Sequence, residues 1–216
     1  MTIKRFFDKV MNKISWRVVI PLFANTRRGR LKRTDFTIIS NNCWGGRIYE
    51  YFNLPKQTPT VGMYFFAEDY VRFCSNLDYY LSLPLVFINW DESVHKLSLQ
   101  KKNEEGVIVG KLGDVELVFL HYNDKEVIMQ KWKRRIDRIN RKNIILKFSY
   151  QNECNDELVK QFFKIKGYKK IFFSGEPLPG CEEIVVYPRH DGKETIDETE
   201  NIDRYMNLVE LINSRL

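Results

Sequence analysis

The sequence predicts an α/β protein: a mainly parallel, Rossmann-like three-layer sheet with an inserted β-hairpin region and a basic N-terminal helix. Three observations carry this expectation. From Asp35 onward, short apolar runs are each followed by a polar turn and then a helical period, the pattern of strand–helix alternation. The 216 residues are 44% hydrophobic and 14% aromatic, enough for one sizeable core, and no window of 18 residues is uninterruptedly apolar. The net positive charge comes from the start: residues 1–34 hold ten basic side chains against one acid, Asp8, while the whole chain carries only +7. The expected organisation is a basic segment, 1–34, and a single near-neutral domain, 35–216.

In chain order, Phe6, Phe7, Val10, Met11, Ile14 and Val18 recur at three-to-four spacing, so residues 3–20 read as a basic amphipathic helix ending near Pro21. Such a helix can lie on an anionic membrane or dock on the flank of the domain. Asp8, Lys9 and Lys13 interrupt the apolar region a secretory signal would need. Residues 35–40 read as a buried strand, 43–52 as a helix, 61–65 as a second apolar run and 67–80 as one helix. Four short strands are expected at 85–90, 96–99, 107–112 and 115–121, the last two joined as a hairpin at Gly113-Asp114. Asp124 caps a helix running to about Asn140. Residues 143–150, 169–174 and 183–187 read as strands, 156–166 and 202–216 as helices, and the acidic stretch 191–201 as a mobile loop.

The four cysteines, Cys43, Cys74, Cys154 and Cys181, are too widely spread for a disulfide framework or a zinc motif. Reduced thiols in a cytoplasmic protein, peripheral to the membrane at most, fit this usage. The stretch Arg27-Arg28-Gly29-Arg30-Leu31-Lys32-Arg33 could contact phosphates. It lacks interleaved aromatics, and no helix-turn-helix, zinc-finger or RNA-recognition signature follows, so no nucleic-acid partner is expected. Nothing in the sequence fixes a cofactor or an oligomeric state, and no histidine pairs with cysteines or carboxylates in a metal-ligand spacing.

Ligands of open α/β sheets sit beyond the carboxyl ends of the strands. At the first such end, Ser40-Asn41-Asn42-Cys43-Trp44-Gly45-Gly46-Arg47, a strand turns abruptly into a helix with a cysteine at its start. The helix amides and dipole would lower the thiol pKa and make Cys43 a nucleophile, with Asn41 or Asn42 donating to an oxyanion. A capped helix with an inert core cysteine is the competing reading. His121 follows the 115–120 run and is the preferred acid/base candidate, against a merely structural histidine. Asn152 and Cys154 follow the strand ending at Tyr150, though an ordinary N-cap turn would place them equally well. In the helix after Asp124, Arg135 and Arg138 share a stripe with Lys131 and suit a phosphate or carboxylate, a solvated basic face being the alternative.

The segment from Phe36 to Phe52, with Asn41-Asn42-Cys43-Trp44-Gly45-Gly46 at its centre, followed by Thr58-Pro59-Thr60-Val61-Gly62, resembles a bacterial family of unknown function whose members are often labelled exopolysaccharide biosynthesis proteins. The resemblance continues through Trp132, Arg135, Arg138-Ile139-Asn140, Lys147-Phe148, Asn152, Cys154 and the 170–179 segment, covering about residues 34–190. It implies an α/β domain associated with capsule or surface-polysaccharide assembly, acting on a polysaccharide precursor or activated donor, and brings no established catalytic residues. The Asn-Cys turn is also similar to that of proteins labelled capsule acetyltransferases. The leading expectation is therefore acyl transfer or ester hydrolysis with Cys43 as nucleophile, His121 as base, Asn41 or Asn42 at the oxyanion, and Ser40, Trp44, Gly45, Gly46, Arg47, Gly62, Arg135, Arg138, Asn152 and Cys154 in substrate binding. A nucleotide-sugar glycosyltransferase, without a DxD metal motif, and a non-catalytic membrane-surface binding module are the alternatives.

Overall fold

The computed structural model describes residues 15–178, 184–187, 190–196, 198–200 and 202–214. A π-helical turn, Ser15–Val19, runs into α1 (Ile20–Gly29). β1 (Thr37–Ser40), α2 (Trp44–Tyr51), α3 (Ala67–Ser75) and α4 (Leu77–Ser82) follow. The middle of the chain holds β2 (Val86–Ile88), α5 (Lys96–Lys101), β3 (Ile108–Leu112) and β4 (Val115–Phe119). Then come α6 (Lys125–Ile136), β5 (Ile144–Ser149), α7 (Asp156–Lys164), β6 (Lys169–Ser174) and β7 (Ile184–Val186). A small hairpin, β8 (His190–Asp191) and β9 (Glu194–Thr195), and α8 (Leu208–Asn213) close the chain.

The main sheet has the order β1-β5-β6-β7, and every neighbouring pair is parallel. Alternate side chains of a strand point to opposite faces, and both faces are covered. Ile38, Ile145, Ile171 and Phe173 pack with Trp44 and Ile48 of α2 and Leu208 and Ile212 of α8. Ile39, Leu146, Phe148 and Phe172 pack with Tyr70 and Phe73 of α3 and Leu158 and Phe162 of α7. Burying each such large apolar side chain contributes about 1.5–3 kcal/mol, which is why these strands read as continuous apolar runs. The fold is thus the three-layer α/β arrangement expected, Rossmann-like in its layering. The inserted region is a separate antiparallel sheet, β2-β3-β4, whose β3–β4 hairpin turns at Gly113.

Several local expectations are corrected. Residues 1–14 lie outside the described residues. The remainder of the basic leader does not stop at Pro21, because proline in the first turn of α1 loses no helical hydrogen bond. It docks on the domain: Ile20 and Ala24 are buried, Trp16 donates to the Glu200 carbonyl (3.1 Å), and Arg27 donates to the Tyr51 carbonyl (3.1 and 3.0 Å). The 67–80 helix breaks at Asn76, whose φ of −140° leaves the helical region. Residues 96–99 form the start of α5 instead of a strand. Leu97 and Leu99 mimic a period of two, but Leu99 is buried and Leu97 is 70% exposed. The run 61–65 contributes only a single bridge, Tyr64 to Val118. α6 ends at Ile136, with the following turn held to β1 by Asn140 N donating to Thr37 Oγ1 (2.9 Å). The acidic stretch is a hairpin plus an inward turn, for a reason given by the site.

Candidate functional site

The helices after β1 and β5 leave for opposite faces of the sheet: α2 packs with Ile38 and Ile145, α7 with Leu146 and Phe148. The two strands are neighbours. This divergence opens a crevice beyond their carboxyl ends, the usual ligand position in such sheets. Two adjoining cavities occupy it, about 420 and 290 Å³, and both are lined by Cys43, His121 and Thr199. They form a basic lobe and a polar lobe of one cleft.

Cys43 is the N-cap of α2. The helix can begin so close to β1 because Gly45 has no Cβ; one placed there would lie 3.1 Å from Ile38 Cγ2 and 3.2 Å from Ser40 Cβ. The Cys43 thiol sits 3.8 Å from the Met63 carbonyl oxygen. Burial pushes its pKa up, and the Gly62 and Met63 backbone and the Arg47 and Lys147 charges only partly offset this. The expected lowering by the helix N-terminus is therefore outweighed, because desolvation penalises the thiolate. His121 arrives from the second sheet: it follows β4 and is exposed, and its amide donates to the Gly62 carbonyl (3.1 Å). Gly62 has φ +73°, and a Cβ there would lie 2.7 Å from the Tyr122 ring, so glycine is what lets the 61–65 run and the 121–122 turn meet over Cys43.

Asn41 and Asn42 do not face a substrate as free donors. Asn41 is fully buried, and its Nδ2 donates to the Ser149 carbonyl (3.4 Å). Asn42 lines the polar lobe, but its Nδ2 is engaged by Gln151 Oε1 (2.9 Å) and by Glu198, while its Oδ1 accepts from Ser40 Oγ (3.2 Å), Trp44 N (3.1 Å) and Lys147 Nζ (3.1 Å). Beneath the turn lies an ion pair that sequence reading missed. Lys147 of β5 and Glu198 are 0% and 1% exposed and directly bonded. Glu198 also accepts from Ser149 Oγ (2.7 Å) and Thr195 Oγ1 (2.8 Å). Burial pulls Lys147 below its ordinary pKa. Burial alone would raise Glu198, but the Lys147 charge and the hydrogen bonds from Lys147, Asn42 and Ser149 hold it below the usual range. This pair draws the acidic segment inward and places Thr199 on the cleft. The only sequence signal was a lysine inside an otherwise apolar strand run.

The basic lobe is lined by Arg47, Lys56, Lys131 and Arg135, with Glu50 its single carboxylate among the described residues. Glu50 pairs with Arg47 (3.2 Å) and Lys56 (2.7 Å). Arg135 is 8% exposed; its Nη1 donates to Tyr122 Oη (2.9 Å) and approaches the Val61 carbonyl (3.5 Å). The α6 stripe did contain the signal, since Lys131 and Arg135 stand four apart. Arg138 is exposed and lines neither lobe, because α6 has ended before it. Gly46, Arg47 and Gly62 line the basic lobe, and Asn152 lines the polar lobe with Tyr64, Lys102 and Glu104. Ser40, Trp44 and Gly45 are buried supports behind Cys43. Cys154 lines neither lobe, and burial pushes its thiol up to about 12. Among the described residues no cluster of histidine, cysteine and carboxylates could hold a metal.

Fold and site together define an α/β protein with a two-lobed cleft at the carboxyl edge of a parallel sheet, a cysteine and a histidine at its centre. The chain belongs to the family described as domain of unknown function DUF1919, whose model matches residues 14–214. It is 27% identical over 174 residues to an uncharacterized protein of Haemophilus influenzae, covering 80% of this chain and 77% of that one.

Proposed function

We propose that the protein is an acyl-transfer or ester-cleaving enzyme of surface-polysaccharide assembly, with Cys43 as nucleophile and His121 as acid/base. The observation that carries this reading is that both residues line both lobes of the same cleft. A thiol held protonated by burial needs a base, and His121 is the imidazole that the cleft offers. The imidazole takes the thiol proton as sulfur attacks the acyl carbon. The tetrahedral oxyanion then collapses, the leaving group departs with that proton, and a thioester remains on Cys43. An acceptor hydroxyl or water, deprotonated in turn by His121, cleaves the thioester and frees the thiol. With the amide donors of both asparagines already bonded, the Gly46 amide in the first turn of α2 is the donor for the oxyanion; it meets no acceptor among the described residues. The polysaccharide context rests on the resemblance of the Asn-Asn-Cys-Trp-Gly-Gly turn.

Turnover of a simple aryl thioester, phenyl thioacetate, checks this. Cys43→Ala abolishes turnover, and His121→Gln lowers it by about 10²–10⁴-fold. Undiminished turnover in Cys43→Ala refutes the mechanism.

A second reading concerns location. The outward face of the first helical turns carries Val18, Val19, Leu22 and Phe23, with Leu22 71% and Phe23 51% exposed, and Arg28, Arg30, Lys32 and Arg33 follow. Apolar side chains beside cations suit an anionic membrane surface. None of the described helices is long and apolar enough to cross a membrane.

A further inference from the structure

We infer that the basic lobe is a phosphoryl-binding site, taking the phosphate or diphosphate group of the molecule that enters the cleft. Naming that molecule as the activated donor rests on the proposed Cys43 chemistry; the site itself does not. Glu50 occupies Arg47 and Lys56, which leaves Lys131 and Arg135 facing the cavity without a carboxylate partner among the described residues. Arg135, more than nine-tenths buried as a residue, meets no counter-charge among the described residues, an arrangement that a bound anion would complete. Of its donors only Nη1 is bonded, to the Tyr122 hydroxyl and the Val61 carbonyl, both neutral. Its other N–H groups meet no acceptor among the described residues.

Among the described residues four cations surround one carboxylate, which calls for a multivalent anion. A phosphoryl group offers several acceptor oxygens for the planar Arg135 fork and the point charge of Lys131, where a carboxylate offers two. The Lys131 ammonium lies 4.9 Å over the Tyr122 ring, and the Tyr122 hydroxyl donates to the Val61 carbonyl (3.0 Å), so the ring links both cations to the glycine turn at Gly62. A volume of about 420 Å³ holds a diphosphate together with part of the group it carries. Because Cys43 lines the same lobe, a bound phosphoryl group sits beside the thiol.

The test is calorimetric titration with inorganic pyrophosphate, alongside iodoacetamide modification of Cys43. The expected result is saturable binding that weakens about tenfold in Arg135→Lys and in Lys131→Gln, with Lys133→Gln on the outward face unchanged. Pyrophosphate should also slow Cys43 modification in proportion to occupancy. Lys131 is partly exposed, so its variant remains informative if Arg135→Lys fails to fold. Dibutyryl phosphatidic acid below its micellar concentration forms a second arm. Tighter binding than pyrophosphate, lost in the same variants, assigns the phosphoryl group to a lipid; weaker binding assigns it to a soluble donor. Tighter binding of succinate, affinity unchanged in both variants, or Cys43 modification indifferent to pyrophosphate would each overturn the inference. Pyrophosphate binding without any acyl transfer would leave this site standing and remove the proposed reaction alone.

Discussion

Cys43 combines an accessible position with an unfavourable charge state. Desolvation is the largest influence on its thiol and raises the pKa, while the Arg47 and Lys147 charges oppose it. In a pH series of iodoacetamide labelling, Cys43 should titrate above a free cysteine. Arg47→Gln should move that titration further up, since it removes the larger of the two opposing charges. A titration below that of free cysteine would contradict the burial argument. Glu198 runs the other way. Its folded pKa is depressed, so the unfolded state binds more protons as the pH falls through the ordinary glutamate range. The stability it contributes is therefore present above that range and lost below it. Glu198→Gln should flatten the acid limb of the stability profile, read by urea unfolding at stepped pH.

At the scale of elements, the inward turn after β9 is held by a charge buried under β5. Removing one partner of a buried pair leaves the other uncompensated, at a cost of about 3–5 kcal/mol. Lys147→Met and Glu198→Gln should each destabilise by about this amount in chemical denaturation. Lys147→Met with Glu198→Gln should lose less than the sum, because the second change removes an already orphaned group. The legibility of each element follows the same physics. β1, β5 and β6 were readable because parallel strands covered on both faces keep apolar centres, Ile38-Ile39, Ile144 to Leu146 and Ile171 to Phe173, and α6 because Asp124 caps it, accepting from Glu126 N (2.8 Å) and Val127 N (3.2 Å). α5 was not readable, since Leu97 and Leu99 imitate strand alternation. The 191–201 segment looked mobile because its composition is acidic, and only the Lys147 partner across the fold turns Glu198 into an anchor.

For the whole molecule, the carboxyl-edge rule located the cleft from sequence alone, and Cys43, His121, Gly46, Arg47, Gly62, Arg135 and Asn152 do line it. Arg138 and Cys154 do not, because helix ends and loop directions are set by packing that short-range pattern does not encode. Lys102, Glu104 and Thr199 reach the cleft from segments distant in sequence, and they and Lys56 carried no local signal. The leader's placement yields a separate expectation. If the exposed face of α1 meets an anionic membrane, Leu22→Glu with Phe23→Glu should weaken sedimentation with phosphatidylglycerol vesicles by about tenfold while leaving thioester turnover unchanged. Vesicle binding unaffected by the pair would assign attachment elsewhere or exclude it.

The most direct measurement of the central claim is acid-quenched mass spectrometry of the full-length protein during turnover of phenyl thioacetate, with peptide mapping of the modified residue. The expected result is a single acetyl group on Cys43 that forms as thiophenol leaves and before acetate is released, forms more slowly in His121→Gln and is absent in Cys43→Ala. Turnover with no adduct on Cys43, or with the acetyl group on Cys154 instead, would contradict a reaction centred on the Asn-Asn-Cys turn.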